Sequence, residues 1–302
     1  MADLHRFKDA LAGPERAARW RSLLFVPAHS ERFVSRAHER NADAIILDLE
    51  DSVPAAEKGG ARAGLGEAIR QAGQGKAAVL VRINSGIRAV AADLDAAVVA
   101  GVAALVLPKA EAVDWIRAVA ETVAELEAER GLQPGAIGLV LQIETPGALP
   151  LLPALATAHP RVAAMTVGPE DFCAALGAVP GPDALLGPNL AVLCAARAAG
   201  IAPLGFVGSI GAFEDIDAFR ATVTQARGMG FRGAMCIHPK QVAVLNELFA
   251  PSAAELDWAR RVVESDRAAR AEGLGAFRVD GRMVDAPVVR RAQDILGRGH
   301  AA

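Results

Sequence analysis

Eight short apolar runs, each followed by an alanine- and charge-rich stretch, constrain this 302-residue chain more than any other feature. They are residues 22–27 (SLLFVP), 44–51 (AIILDLED), 78–84 (AVLVRIN), 104–109 (ALVLPK), 138–145 (GLVLQIET), 161–168 (RVAAMTVG), 202–209 (APLGFVGS) and 233–239 (GAMCIHP). The runs are continuous rather than alternating. A strand inside a parallel sheet is covered on both faces and needs no polar side. The stretches between them have helical character. "AEAVDWIRAVAETVAELEAERG" (110–131) is the clearest, with Gly131 as its C-terminal cap. Eight β-then-α units predict an α/β fold, a (β/α)8 TIM barrel over residues 1–250. A doubly wound open sheet is the alternative, but no G-x-G-x-x-G follows the first run.

The pattern changes in residues 251–302. "APSAAELDWARRVVESDRAARAEG" predicts a helix opened by a capping box of Ser252 and Glu255. "GAFRVDGRMV" predicts a hairpin turning at Asp280-Gly281, and "DAPVVRRAQDIL" a last helix. This helix-hairpin-helix appendage is too short for a core of its own. It is expected to pack on the barrel or on a neighbouring subunit.

Composition excludes several classes. A net charge of -3 and 4% aromatic residues argue against nucleic-acid partners. No apolar run is long enough to span a membrane, and the charged start "MADLHRFKDALAGPERAARW" has no signal core. Cys173, Cys194 and Cys236 lie in apolar settings without metal-ligand spacing, so they are expected to be buried thiols. A soluble, cytoplasmic protein is the expectation.

Barrels of this kind place their chemistry at the C-terminal ends of the strands. Those ends carry Asp48, Glu50 and Asp51, then Arg82, Lys109, Glu144, Asp171, Ser209 and His238. Glu144 and Asp171 close neighbouring strands. Two converging carboxylates repel unless a cation lies between them, and oxygen-only ligands select a hard ion such as Mg²⁺. Taken singly, Glu144 caps the helix after Pro146 and Asp171 is the N-cap of "FCAALG"; taken together they are a metal pair. Arg82 in a parallel strand needs an anion. That anion is Glu50 or Asp51, or a substrate carboxylate or enolate, or both. Asp48 and Glu50 share one face and are expected in the metal's outer shell, with Glu50 among the catalytic residues. Lys109 is expected in a structural ion pair. His29 and His238 each stay open between a site role and a bland one. Ser209 and His238 do not make a convincing triad.

The motifs "RSLLFVPAHSERF", "ADAIILDLEDSVPAAEKGGAR", "VRIN", "LPKAE", "IETPGAL", "VGPEDF", "GFRGAMCIHPKQV" and "GAFRVDGRMVDAP" occur in this order. Together they resemble the citrate lyase β-subunit / malyl-CoA lyase family, of the HpcH/HpaI aldolase superfamily, from about residue 20 to the end. The resemblance implies a Mg²⁺-dependent carbon–carbon lyase. It would cleave or form a malyl-, citramalyl- or citryl-CoA thioester, giving acetyl-CoA and a 2-keto acid. It puts Glu144 and Asp171 at the metal, with Glu144 also meeting substrate, and Arg82 at the substrate. Asp285 becomes the acid–base group that some members deliver from a neighbouring subunit; otherwise it is an N-cap. Phe25 and Arg36 fall where CoA is gripped. A homotrimer or homohexamer is implied. The alternatives are an aldolase on free 2-keto acids, the β-subunit of a multi-subunit citrate lyase, and a non-catalytic ligand-binding homologue. Two places depart from the family pattern: Pro27-Ala28-His29 in the first loop, and Gly208-Ser209 after the seventh run.

Overall fold

In the computed structural model, residues 17–211 and 213–299 are described. Most of the charged N-terminal stretch searched for a signal core lies outside them. The chain divides into two compact units, Met1–Asn246 and Glu247–Ala302.

The first unit is built on eight strands: β1 (Ser22–Pro27), β2 (Ala44–Asp48), β3 (Ala78–Arg82), β4 (Val102–Leu107), β5 (Gly138–Ile143), β6 (Val162–Val167), β7 (Ala202–Pro203) and β8 (Ala234–Cys236). All pair in parallel, in the order β7-β6-β5-β4-β3-β2-β1-β8. A parallel bridge between Leu204 and Gly233 joins β7 to β8 and closes the ring. Helices return the chain between strands: α1 (Lys58–Ala72), α2 (Ile87–Ala97), α3 (Val113–Glu129), α4 (Leu152–Ala156), α5 (Pro169–Leu176), α6 (Pro182–Ala199) and α7 (Ile216–Met229). α8 (Pro239–Phe249) follows β8. The expected (β/α)8 barrel is thus present.

One apolar cluster takes side chains from every strand, including Leu23, Ile46, Leu80, Val106, Val140 and Ala164. It fills the barrel, as small and branched residues do in such interiors. Strands β7 and β8 are shorter than the apolar runs 202–209 and 233–239. Pro203 has no N–H for the ladder, and Gly205 at φ 144° turns the chain away. On α3, Glu127 accepts both Nη groups of Arg161 at 2.9 and 2.6 Å, and the N–H groups of Gly135 and Ile137. This fully buried pair ties α3 to the residues that begin β5 and β6, at the end opposite the strand C-termini.

The second unit has α9 (Ala253–Ala271), the hairpin β9 (Phe277–Val279) and β10 (Arg282–Val284), and α10 (Ala286–Gly299). The capping box of Ser252 and Glu255 is formed, and the hairpin turns at Asp280 and Gly281 with φ of 50° and 76°. Contrary to expectation, this unit has a small core. Ala259, Val262, Val279, Val284, Val289, Ala292 and Ile295 are buried together. The two long helices let a short segment enclose them. Among the described residues no helix is long and apolar enough to cross a membrane.

Candidate functional site

Arg82 ends β3, in register with Asp48 at the end of β2. Its Nε and Nη2 donate to the two carboxylate oxygens of Asp48, each at 2.7 Å. Nη1 lies 3.0 Å from Glu50 Oε2, and 3.8 Å from Asp51. The ring of Phe25, from β1, sits against the guanidinium at 4.7 Å. Burial alone would raise the Asp48 pKa, but the Arg82 hydrogen bonds outweigh it and hold that carboxyl below its ordinary range. Conversely Asp48 overcomes the burial of Arg82 and secures its charge. The expected pair of Arg82 with Glu50 is present, and strand register adds a partner the sequence reading did not name, Asp48, which the register sets beside Arg82. Asp48 also accepts the N–H groups of Glu50 and Ser52.

Glu144 follows β5 and is 2% exposed. Its Oε2 accepts the N–H of Lys109 at 2.7 Å, and its Oε1 accepts Gln142 Nε2 at 3.2 Å. It caps nothing: the turn Pro146–Leu151 has Thr145 at its N-cap. Asp171 is likewise not an N-cap. It lies inside the first turn of α5, whose N-cap is Gly168. Gly168 directly follows β6, and its missing side chain leaves room for Glu144. Burial first, and then the charges of Glu50 and Asp171, push the Glu144 pKa up to about 8 against the pull of the Lys109 N–H. A buried carboxyl beside two others ionises readily only when a cation joins it. All donors here are oxygens, which suits a hard ion. Among the described residues no three His, Cys, Asp or Glu side chains converge on one metal-sized point. Mg²⁺ is commonly held by one or two carboxylates with water and ligand oxygens in the other positions, and Glu144, with the charge of Asp171 acting on it, is of that kind. The residues present fit that ion.

Glu50 is 5% exposed and lies between two cations, Arg82 Nη1 and Lys109 Nζ, each 3.0 Å away. Burial raises its pKa, and the two cations oppose the rise. The ion pair expected of Lys109 is present.

The remaining residues are more scattered. Arg36 is exposed and pairs with Glu39 at 3.1 Å. Asp285, in the C-terminal unit, stands at the N-cap of α10, where Val288 N–H approaches its Oδ1 at 3.5 Å. His29 lies 3.7 Å from Glu57, on a cavity of about 520 Å³ between the turn after β1 and α1. His238 stacks on Phe213, with ring centres 4.7 Å apart. Ser209 donates to Glu170 at 2.5 Å rather than to a histidine, so no triad forms. Cys173 and Cys236 are buried with raised thiol pKa values, from desolvation above all. Cys194 is exposed, against expectation, because it lies on the outer face of α6. Sequence reasoning did not pick out Gln142 or Gly168. Gln142 carried a signal, a polar residue in an otherwise apolar strand two positions before Glu144.

Comparison with known proteins agrees with this arrangement. The family model described as HpcH/HpaI aldolase/citrate lyase matches residues 21–239. Citrate lyase subunit beta of Escherichia coli K12 is 34% identical over 285 residues, covering 92% of each chain. A (3S)-malyl-CoA thioesterase of Cereibacter sphaeroides is 35% identical over 286 residues, covering 93% of this chain and 95% of the other. Among solved structures, CitE from Mycobacterium tuberculosis, in complex with magnesium, acetoacetate and coenzyme A, superposes with a TM-score of 0.68. It is 32% identical, over 94% of this chain and 99% of that one. With eight parallel strands, acidic groups at their C-terminal ends and a match across nearly the whole barrel, the chain belongs to the HpcH/HpaI aldolase/citrate lyase family.

Proposed function

We propose that this protein is a Mg²⁺-dependent carbon–carbon lyase. Its substrate is a 3-hydroxyacyl-CoA of the malyl-, citramalyl- or citryl-CoA type, cleaved to acetyl-CoA and a 2-keto acid or formed from them. The observation that carries this reading is the buried carboxyl of Glu144, placed among other carboxylates at the strand ends and close to the clamped Arg82. The solved relative with magnesium, acetoacetate and coenzyme A supports the same ligands here.

Glu144 and Asp171 would hold the ion. When bound, Mg²⁺ supplies Lewis-acid polarisation of the oxygens of the acid half. The protein's own residues do the rest. We assign Glu50 to receive the hydroxyl proton. The bond between the hydroxyl-bearing carbon and the carbon next to the thioester then breaks, and its electron pair passes into the enolate of acetyl-CoA. Arg82, locked by Asp48 and Phe25, offers a fixed positive charge to that enolate. Asp285 is assigned to protonate the enolate carbon, from a neighbouring subunit of a homotrimer or homohexamer. Phe25 and Arg36 are assigned to the CoA side.

The test is a screen of hydroxyacyl-CoA esters with Mg²⁺, reading 2-keto acid and acetyl-CoA, with Glu144→Ala as control. Normal Mg²⁺-dependent activity in that variant would overturn the assignment. Release of free CoA and the hydroxy acid would instead favour a thioesterase, the activity in the name of one relative. Activity only with co-purifying subunits would favour a β-subunit of a citrate lyase.

A further inference from the structure

Three described residues other than glycine have positive φ: Asn41, Lys109 and Asp280. Asn and Asp enter the left-handed region readily, because their short polar side chains bond to nearby backbone. Lys has no such excuse. At φ 50° the backbone of Lys109 is strained, and it is gripped on both sides. Leu107 pairs with Leu141 in the β4–β5 ladder, and Ala110 N–H donates to the Gln142 carbonyl at 3.0 Å. Such strain persists only where the surroundings over-determine it, and it clusters at working sites.

The strain makes two contacts available at once. The main-chain N–H of Lys109 reaches Glu144 Oε2 at 2.7 Å. Its Nζ reaches Glu50 Oε1 at 3.0 Å, and the other oxygen of Glu50 meets Arg82 Nη1 at 3.0 Å. One residue therefore ties the carboxylate of the metal pair to the guanidinium through Glu50. A glycine would adopt this φ at less cost and keep the first contact. Only the ammonium accounts for a lysine.

We propose that Lys109 is a positioning residue that sets the spacing between Glu144 and Arg82 through its contacts to Glu144 and Glu50. The inference rests on the lyase reading above. Where a reacting pair is held by such a strap, a displacement of about 1 Å costs on the order of 100-fold in rate.

The test uses Lys109→Gly, Lys109→Asn and Lys109→Arg in the full chain. Gly and Asn both accept the backbone conformation, and neither carries the ammonium. On malyl-CoA or citramalyl-CoA with Mg²⁺, K109G and K109N should lose kcat by about 100-fold with KM little changed. K109R should recover most of it, and the rate loss in K109G should be far larger than any fall in its stability accounts for. Crystals of K109G should show a changed spacing between Glu144 and Arg82. Wild-type kcat in K109G, or Glu144 and Arg82 unmoved in its crystals, overturns the proposal. So does a rate loss in K109G and K109N that tracks lost thermal stability, or an Arg variant as slow as the Gly one. If the wild type cleaves no acyl-CoA, the lyase reading falls, and the crystal comparison alone decides the role of Lys109.

Discussion

Glu144 occupies the space that a side chain at Gly168 would need. A Cβ there would lie 2.5 Å from Glu144 Cγ and Oε1. The backbone of Gly168, at φ -86° and ψ 100°, suits any residue, so the need for glycine is steric. Gly168→Ala should fold, at a cost of about 1–3 kcal/mol for overpacking, and should drive Glu144 from its place. Turnover should fall far more than stability. Parallel thermal melts and Mg²⁺ titrations check this, and an Ala variant with unaltered Mg²⁺ affinity would count against the role of Glu144.

Arg82→Ala should abolish turnover, since one charge-stabilising donor contributes ~3 kcal/mol to the barrier. Asp48→Ala should also be unstable, by roughly 3–5 kcal/mol, because it leaves a buried guanidinium without its main partner. Arg82→Lys keeps the charge but not the fork, and should stay slow. Denaturant melts and steady-state kinetics separate the two effects.

Asp285→Ala should spare Mg²⁺ binding, remove turnover, and cost about 1 kcal/mol as a lost N-cap. Asp285 in the proposed mechanism comes from a neighbouring subunit. Mixing inactive Asp285→Ala and Glu144→Ala chains should then restore part of the activity. Mixtures that stay inactive after subunit exchange would place the acid–base group within one chain or elsewhere.

Glu144 links stability to pH. Its pKa rises on folding from 4.5 to about 8. An acid shifted upward favours the folded state fully below the unfolded value, and loses that contribution as pH rises through the folded one. Metal-free protein should therefore lose stability between pH 4.5 and about 8 through this group. Glu144→Gln should flatten that slope, and Mg²⁺ should restore stability at the alkaline end. Asp48 acts oppositely: its lowered pKa contributes above the ordinary 3.8 and fades as pH falls below it. Thermal melts in chelator, carried from below pH 3.8 to above about pH 8, read both.

The Glu127–Arg161 pair gives a control far from the chemistry. Arg161→Ala should destabilise by about 3–5 kcal/mol, because it strands a buried carboxylate. KM should not move. A change in KM without a change in stability would mean that this end of the barrel communicates with the site.

Much of the site was legible in the sequence for one reason. A parallel strand buried on both faces tolerates polar residues chiefly at its ends, so Arg82 and Glu144 stood out against Val, Leu and Ile. The eight-fold alternation carried the barrel in the same way, and the Ser252–Glu255 and Asp280-Gly281 signals were local enough to read directly. Partners were legible only in part. The pair of Arg82 with Glu50 was readable, but Asp48 and Arg82 are 34 positions apart, and only the register of β2 against β3 joins them. The left-handed turn at Lys109, the vacancy at Gly168, the ring of Phe25 against the guanidinium and the outward face of Cys194 likewise depend on how distant elements meet. Strand order follows from patterning along the chain. Which charges neutralise which is decided by burial and register, and these exist only once the barrel has closed.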